Sequence, residues 1–310
     1  GAVAREEKGE RVLSTPPHLK YLKIADGCFH HCTYCLIPKI RGKYKSVPME
    51  ELLEEARALG QTEELVLVAQ DTTRYGEDFG ENNFVNLIKN ISKLDNICRI
   101  RLLYCYPDAI SDELIAEIRD NPKVLHYLDI PLQHSEDRIL KLMGRKGNRA
   151  EYLALIKKLR QNIPDLAIRT TFIAGFPSET EEESAALCGF LREAKFTNCG
   201  FFAYSREPDT GAYRMKGQIP AHTKQKRVRA LYKAQQQISA AYLNDYVGKT
   251  VEVLCEGIDY DKQCFVGRAY FQAAEIDGNV YFTADKAIVG EYCAVKVLRS
   301  DTYDLYGEKA

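Results

Sequence analysis

From Tyr21 to about Tyr213, short apolar runs alternate with longer segments in which apolar residues recur three and four positions apart. The short runs fit strands, and the longer period fits helices packed on one face. Strands are predicted at Tyr21–Asp26, Glu64–Ala69, Cys98–Leu103, His126–Ile130, Ala167–Ala174 and Cys199–Tyr204. Helices are predicted between them at Met49–Leu59, Phe84–Leu94, Ser111–Ile118, Ala150–Gln161 and Thr180–Lys195. Ser111 and the Ser178–Thr180 segment, each followed by acids, read as N-caps. Strand–helix alternation implies parallel pairing through right-handed crossovers. About six such units fall short of the eight that close a barrel of roughly 250 residues. The fold class expected is α/β, an open or partial (β/α)6 barrel.

The pattern changes twice more. Arg214–Lys233 holds seven Lys or Arg and no acid, then continues as a helix to about Leu243. Beyond Gly248, the segments Thr250–Cys255, Gln263–Tyr270, Val280–Thr283 and Tyr292–Leu298 alternate apolar and polar residues, with Ile276-Asp277-Gly278-Asn279 as a turn. That reads as a small antiparallel β-barrel. The chain thus divides into a tail or linker at 1–20, the partial barrel at 21–213, a basic linker helix at 214–244 and the β-barrel at 245–310.

Composition narrows the classes. The 310 residues are 45% hydrophobic and 28% charged, as in globular proteins, and the net charge of -1 gives no global field for nucleic acid. No apolar run approaches the roughly 20 residues of a membrane helix. Gly1-Ala-Val-Ala-Arg-Glu-Glu-Lys lacks the apolar core of a signal peptide, so a cytoplasmic location is expected. A start at Gly1 rather than Met reads as a cut or processed chain with an upstream domain missing. Local charge is uneven. Asp245–Ala310 carries twelve acids against seven Lys or Arg, a net of -5. An acidic barrel repels phosphates and attracts a basic protein. The basic run at Arg214–Lys233 reads either as a phosphate-binding stripe or as a solvated helix face.

Three of the ten cysteines are clustered. Gly27-Cys28-Phe29-His30-His31-Cys32-Thr33-Tyr34-Cys35 follows the first strand, where parallel α/β folds bind ligands. Three thiolates on one loop suit three irons of a cubane and leave the fourth open to chelate a substrate. A zinc site completed by His30 or His31 and three unrelated buried thiols are the alternatives. Cys98, Cys105, Cys188, Cys199, Cys255, Cys264 and Cys293 are scattered and read as small hydrophobes.

The cysteine loop, with aromatic Tyr34 before the third cysteine, resembles that of the radical SAM superfamily. The resemblance implies a [4Fe-4S] cluster on Cys28, Cys32 and Cys35. Its open iron would bind S-adenosylmethionine (SAM) and deliver the electron that yields a 5′-deoxyadenosyl radical. Leu67–Gly76, Tyr127–His134, Ile139–Met143 and Arg169–Thr180 resemble blocks of the radical SAM methylthiotransferases, and the C-terminal barrel resembles their TRAM domain. Gly267–Gly278 and the Gln70-Asp71-Thr72 block resemble the branch that modifies ribosomal protein S-twelve. That branch implies methylthio transfer to the β-carbon of an aspartate, with flavodoxin or ferredoxin as electron donor. SAM carries a carboxylate, an ammonium and hydroxyls that need partners once desolvated. Tyr34, Gln70, Asp71, Gln133, Arg169 and Thr171 are the residues expected to bind it or the substrate, and none is expected to act as a direct acid or base. Phe201, Phe202 and Tyr204 would cover the adenine or pack the core. Phe29 stands where the family commonly has Asn, and Ser178 where it has Gly. No cysteine precedes Cys28, whereas the family holds a second [4Fe-4S] cluster on an upstream domain. This chain alone would then bind cluster and SAM without completing turnover. A tRNA adenosine methylthiotransferase and a non-catalytic zinc-binding ribosome adaptor are the rival readings.

Overall fold

The computed structural model describes residues 15–310, so most of the tail expected at 1–20 lies outside the described residues. Six strands, β1 (Leu19–Lys23), β2 (Thr62–Val68), β3 (Ile97–Leu102), β4 (Val124–Asp129), β5 (Ala167–Ala174) and β6 (Asn198–Ala203), form one sheet in sequence order. Every pairing in it is parallel. The crossovers carry helices α1 (Met49–Ala58), α2 (Phe84–Ser92), α3 (Asp112–Asp120), α4 (Asp137–Met143), α5 (Arg149–Asn162) and α6 (Glu181–Ala194). The expected caps are made. Ser111 Oγ accepts from Leu114 N at 3.1 Å, and Thr180 and Glu183 form a reciprocal capping box. Helix α4 was not anticipated, because seven residues hold too few apolar repeats to display a period.

Alternate strand residues face two cores. Leu65, Leu67, Ile100, Leu102 and Ile168 pack under the helices. Leu19, Val66, Leu103, Leu125 and Ala167 pack against the C-terminal barrel and its Phe271. That half of the molecule begins with the basic helix α7 (Ala221–Asn244), which starts after Pro220 rather than at Arg214. Strands β7 (Thr250–Asp259), β8 (Cys264–Arg268), β9 (Val280–Thr283), β10 (Tyr292–Ser300) and β11 (Leu305–Lys309) close into a barrel. The barrel is antiparallel at four seams and parallel between β9 and β11, which corrects the purely antiparallel expectation. The reason is parity: an odd number of strands cannot alternate direction all the way round a closed ring. The fifth strand had escaped sequence reading.

A buried ionic cluster joins the two halves. Glu64 on β2 binds Arg101 on β3 at 2.7 Å and Arg268 on β8 at 3.3 Å, and Arg268 also binds Glu256 at 2.7 Å. Burial works against the Glu64 charge, yet Arg101 and Arg268 hold its carboxyl down at about 2.

Candidate functional site

The cysteine loop leaves β1 through Gly27, whose φ of 76° places it in the left-handed region. A Cβ there would lie 2.3 Å from Lys43 O, so only glycine fits. The loop is then tied down at its centre. Thr33 donates from N to Met143 O at 2.9 Å and from Oγ1 to Leu142 O at 2.8 Å, both at the end of α4. The Cys28, Cys32 and Cys35 thiols are half-buried and unpaired by disulfides. His30 N donates to Cys28 Sγ and Ile37 N to Cys35 Sγ, each at 3.4 Å. Burial pushes the Cys28 thiol up to about 11, with Cys32 and Asp71 adding repulsion, so a thiolate there needs a metal to displace its proton.

The donor set fits a multi-iron cluster better than one ion. Three thiols on one loop are the ligand set of an iron–sulfur cluster. Of the two histidines that could complete a zinc site, His30 is engaged, its Nε2 lying 2.7 Å from Asp71 Oδ2, and His31 is exposed.

The three cysteines open onto a cavity of about 770 Å³ at the carboxyl ends of the strands. Tyr34, Gln70, Gln133, Arg169 and Thr171 line it as well. Gln133 has φ 74° and is stitched to β5, its N donating to Thr171 O and its O accepting from Ile173 N, both at 2.8 Å. That irregular bridge turns its side chain to the cavity. Gln70 Oε1 is buried with no partner, an acceptor waiting for a donor. Arg169 Nη1 lies 3.0 Å from Asp129 Oδ1, and its Nε lies 3.5 Å from Asp277 Oδ1 of the small barrel. Burial disfavours the Arg169 charge, but Asp129 outweighs it and the guanidinium stays protonated.

Asp71 stands apart from the other five. Its side chain is 1% exposed and absent from the cavity wall. Its oxygens are taken by His30, by Thr73 Oγ1 at 2.6 Å and by Arg74 Nε at 3.3 Å. It therefore orients the cysteine loop through His30. His134 is fully buried, accepts from Glu136 N at 3.0 Å, and is held neutral by burial, which depresses it to about 3. Ser178 adopts φ 65°, the conformation for which glycine is favoured, and Arg138 binds both its Oγ and its carbonyl.

Sequence reasoning missed several wall residues: Tyr104, Tyr106, Asp129, Arg145 and, from the small barrel, Ile276. Tyr104 and Tyr106 lie just past β3, in the same strand-end position that singled out the residues after β2. Of the three aromatics after β6, Phe202 lines the cavity, while Phe201 and Tyr204 are buried in packing. A second chamber of about 540 Å³ shares Arg169, Phe202 and Ile276 with the first. It runs between β6, α7 and the turn at Ile276–Asn279, with Asp277 and Asp304 in its wall.

Comparison with known proteins agrees with this geometry. Residues 22–191 match the Radical SAM superfamily, and residues 247–309 match the TRAM domain. The ribosomal protein uS12 methylthiotransferase RimO of Clostridium botulinum is 47% identical over 304 residues, covering 97% of this chain and 68% of that protein. The protein of the same name from Lachnoclostridium phytofermentans is 46% identical, covering 97% of this chain and 70% of that one. Solved structures share the fold at lower identity. The radical S-adenosylmethionine methyltransferase TsrM from Kitasatospora setae, with cobalamin and a [4Fe-4S] cluster bound, has a TM-score of 0.53 at 16% identity, covering 63% of this chain and 38% of that one. Coproporphyrinogen III oxidase (HemN) of Escherichia coli, a radical SAM enzyme, also scores 0.53, at 17% identity, covering 73% of this chain and 54% of its own. With identity near one half along almost its whole length, this chain belongs to the radical SAM superfamily and, within it, to the RimO family of ribosomal protein uS12 methylthiotransferases.

Proposed function

We propose that this chain uses a [4Fe-4S] cluster held by Cys28, Cys32 and Cys35, together with SAM, to transfer a methylthio group to the β-carbon of an aspartate in ribosomal protein uS12. When bound, the cluster supplies the single electron that breaks the SAM sulfonium. The chain's own residues bind, orient and exclude water. Gln133, Thr171 and Tyr34 present polar groups to the SAM cavity, and Gln70 Oε1 accepts from an ammonium or hydroxyl. Arg169 keeps a fixed positive charge for a carboxylate, braced by Asp129 and Asp277. The apolar residues of the barrel wall, Val68, Ala69 and Pro131 among them, limit water around the reacting carbon. The sulfur source is assigned to a second [4Fe-4S] cluster, which the scattered remaining cysteines of this chain do not build.

The observation that carries the protein-substrate reading is the second chamber. It adjoins the SAM cavity across Arg169, Phe202 and Ile276, and Asp277 and Asp304 stand in its wall beside Arg169. With two carboxylates to one guanidinium, it suits a basic protein segment better than a phosphate backbone. Part of the basic helix is engaged within the chain, with Arg229 and Lys233 left exposed. Arg227 binds Glu179 and Glu181, Lys226 binds Glu181, and Lys224 donates to Tyr204 O. Exposed Lys39, Arg41, Lys43 and Lys45, directly after the cysteine loop, suit an acidic one-electron donor such as flavodoxin or ferredoxin. No helix among the described residues is long and apolar enough to cross a membrane.

The test is isotopic. Anaerobic reaction with uS12 deuterated at the aspartate β-carbon is expected to place deuterium in the 5′-deoxyadenosine released. Unlabelled 5′-deoxyadenosine made at the same rate with and without uS12 would contradict the assignment, and label transfer from tRNA would favour the rival.

A further inference from the structure

Arg145 is a buried cation without a buried anion. It follows Gly144, the left-handed residue that ends α4 with φ 70°. A Cβ on Gly144 would lie 3.1 Å from His31 O, so this turn is pressed against the cysteine loop. The two bonds from Thr33 to Leu142 and Met143 fix the same contact. The guanidinium is thereby held in place. It donates from Nη2 to Pro131 O and lies 4.0 Å from the centre of the Tyr106 ring. Tyr106 in turn stacks on His30 at 3.7 Å, and its Oη lies 4.0 Å from Cys32 Sγ.

What is missing is a counter-ion. Arg145 is 8% exposed, and its Nε has no partner. Among the described residues, no carboxylate lies within 4.0 Å of it. Asp108, which lines a different pocket, is taken by Arg74 at 2.8 Å and Lys146 at 3.5 Å. The groups that face Arg145 are Cys32 and the phenols of Tyr34, Tyr106 and Tyr152. A charge so placed is costly unless an anion completes the site. Three thiolates around an iron–sulfur core are such an anion, and charge near a cluster sets its potential.

We propose that Arg145 is the built-in counter-charge of the cluster on Cys28, Cys32 and Cys35, raising its reduction potential by favouring the more negative, reduced form. This rests on the cluster assignment above. It makes Arg145 an electrostatic positioning group that takes no part in bond making.

The test is an EPR-monitored redox titration of the anaerobically loaded chain without SAM, in wild type, Arg145→Met, Arg145→Gln and Arg145→Lys. Glutamine keeps a neutral polar end where methionine leaves none, so the two together separate loss of charge from loss of polarity. Met and Gln are expected to lower the midpoint enough to cut the reduced-to-oxidised ratio about tenfold at fixed potential, a 59 mV shift for one electron. Lys is expected to restore most of it. Failure of Met and Gln to hold iron that Lys still holds supports the same role. Unmoved midpoints at full iron content overturn the proposal, as does loss of iron in all three variants alike. Weaker SAM binding with an unmoved midpoint also overturns it, assigning the guanidinium to the SAM carboxylate. A wild-type chain that takes up no cluster removes the assignment beneath the proposal, a result distinct from all of these.

Discussion

The Asp277 carboxylate, carried on a turn of the small barrel, lies 3.5 Å from the Arg169 guanidinium on β5 of the parallel sheet. It is aimed there by two bonds, from Tyr127 Oη on β4 at 2.7 Å and from Ala273 N at 2.9 Å. The C-terminal barrel therefore contributes Ile276 to the cavity wall and braces Arg169. Gly278, next along, is held so close that a Cβ would lie 1.8 Å from Tyr303 O.

Asp277→Ala leaves Arg169 with Asp129 alone and Tyr127 Oη without its acceptor. Breaking a buried pair from one side costs about 3–5 kcal/mol. A urea midpoint lowered to match, with weaker SAM binding by the folded fraction, is the expected outcome. Asp277→Asn keeps an acceptor for Tyr127 and is expected to recover part of the stability. SAM binding in Asp277→Ala equal to wild type would show that Arg169 needs no brace.

Gly27→Ala is expected to break the cysteine loop at its origin. Alanine at φ 76° costs about 1–2 kcal/mol in backbone strain, and its Cβ meets Lys43 O at 2.3 Å besides. Lys43 O is backbone, so relief requires the loop to move. Iron bound per chain after reconstitution should drop severalfold while far-UV circular dichroism stays native. Gly42→Ala, also at positive φ (79°) but with nothing within 4 Å of its Cβ, carries the strain without the clash and is the control for it.

Stability is expected to fall with acidification. His134 is neutral in the fold because burial depresses it to about 3, while an unfolded histidine titrates near 6.5. Between those values the unfolded chain binds a proton that the folded chain refuses, so lowering the pH favours unfolding. The loss from this group is about 2 kcal/mol by pH 5. Glu64 acts lower, its contribution complete above 4.5 and lost as the pH falls towards about 2. Glu179, pushed up by burial, opposes both. Comparing wild type with His134→Gln isolates the histidine. Urea midpoints from pH 7 to 5 should fall less steeply in the variant, and parallel curves would refute a buried neutral His134.

The legible parts of the molecule were those written in local pattern. All six sheet strands, the caps at Ser111 and Thr180, and the cysteine loop were visible because spacing along the chain encodes them. What escaped depended on contacts between distant segments. Arg145 and Tyr106 matter only because α4 docks on the cysteine loop. Asp71 sits at a strand end like Gln70, yet alternation turns one side chain to the cavity and the next to His30. The parallel β9–β11 seam follows from a closed ring of five strands, a property that no single segment carries.

The measurement that tests the central claim most directly is iron and acid-labile sulfide per chain after anaerobic reconstitution, read with the EPR spectrum of the reduced protein before and after SAM is added. The account predicts about four irons and four sulfides, a spectrum that changes when SAM is added, and loss of both in Cys28→Ser, Cys32→Ser and Cys35→Ser. A colourless chain that binds zinc, or binds nothing while its three loop thiols stay free to alkylate, would contradict it.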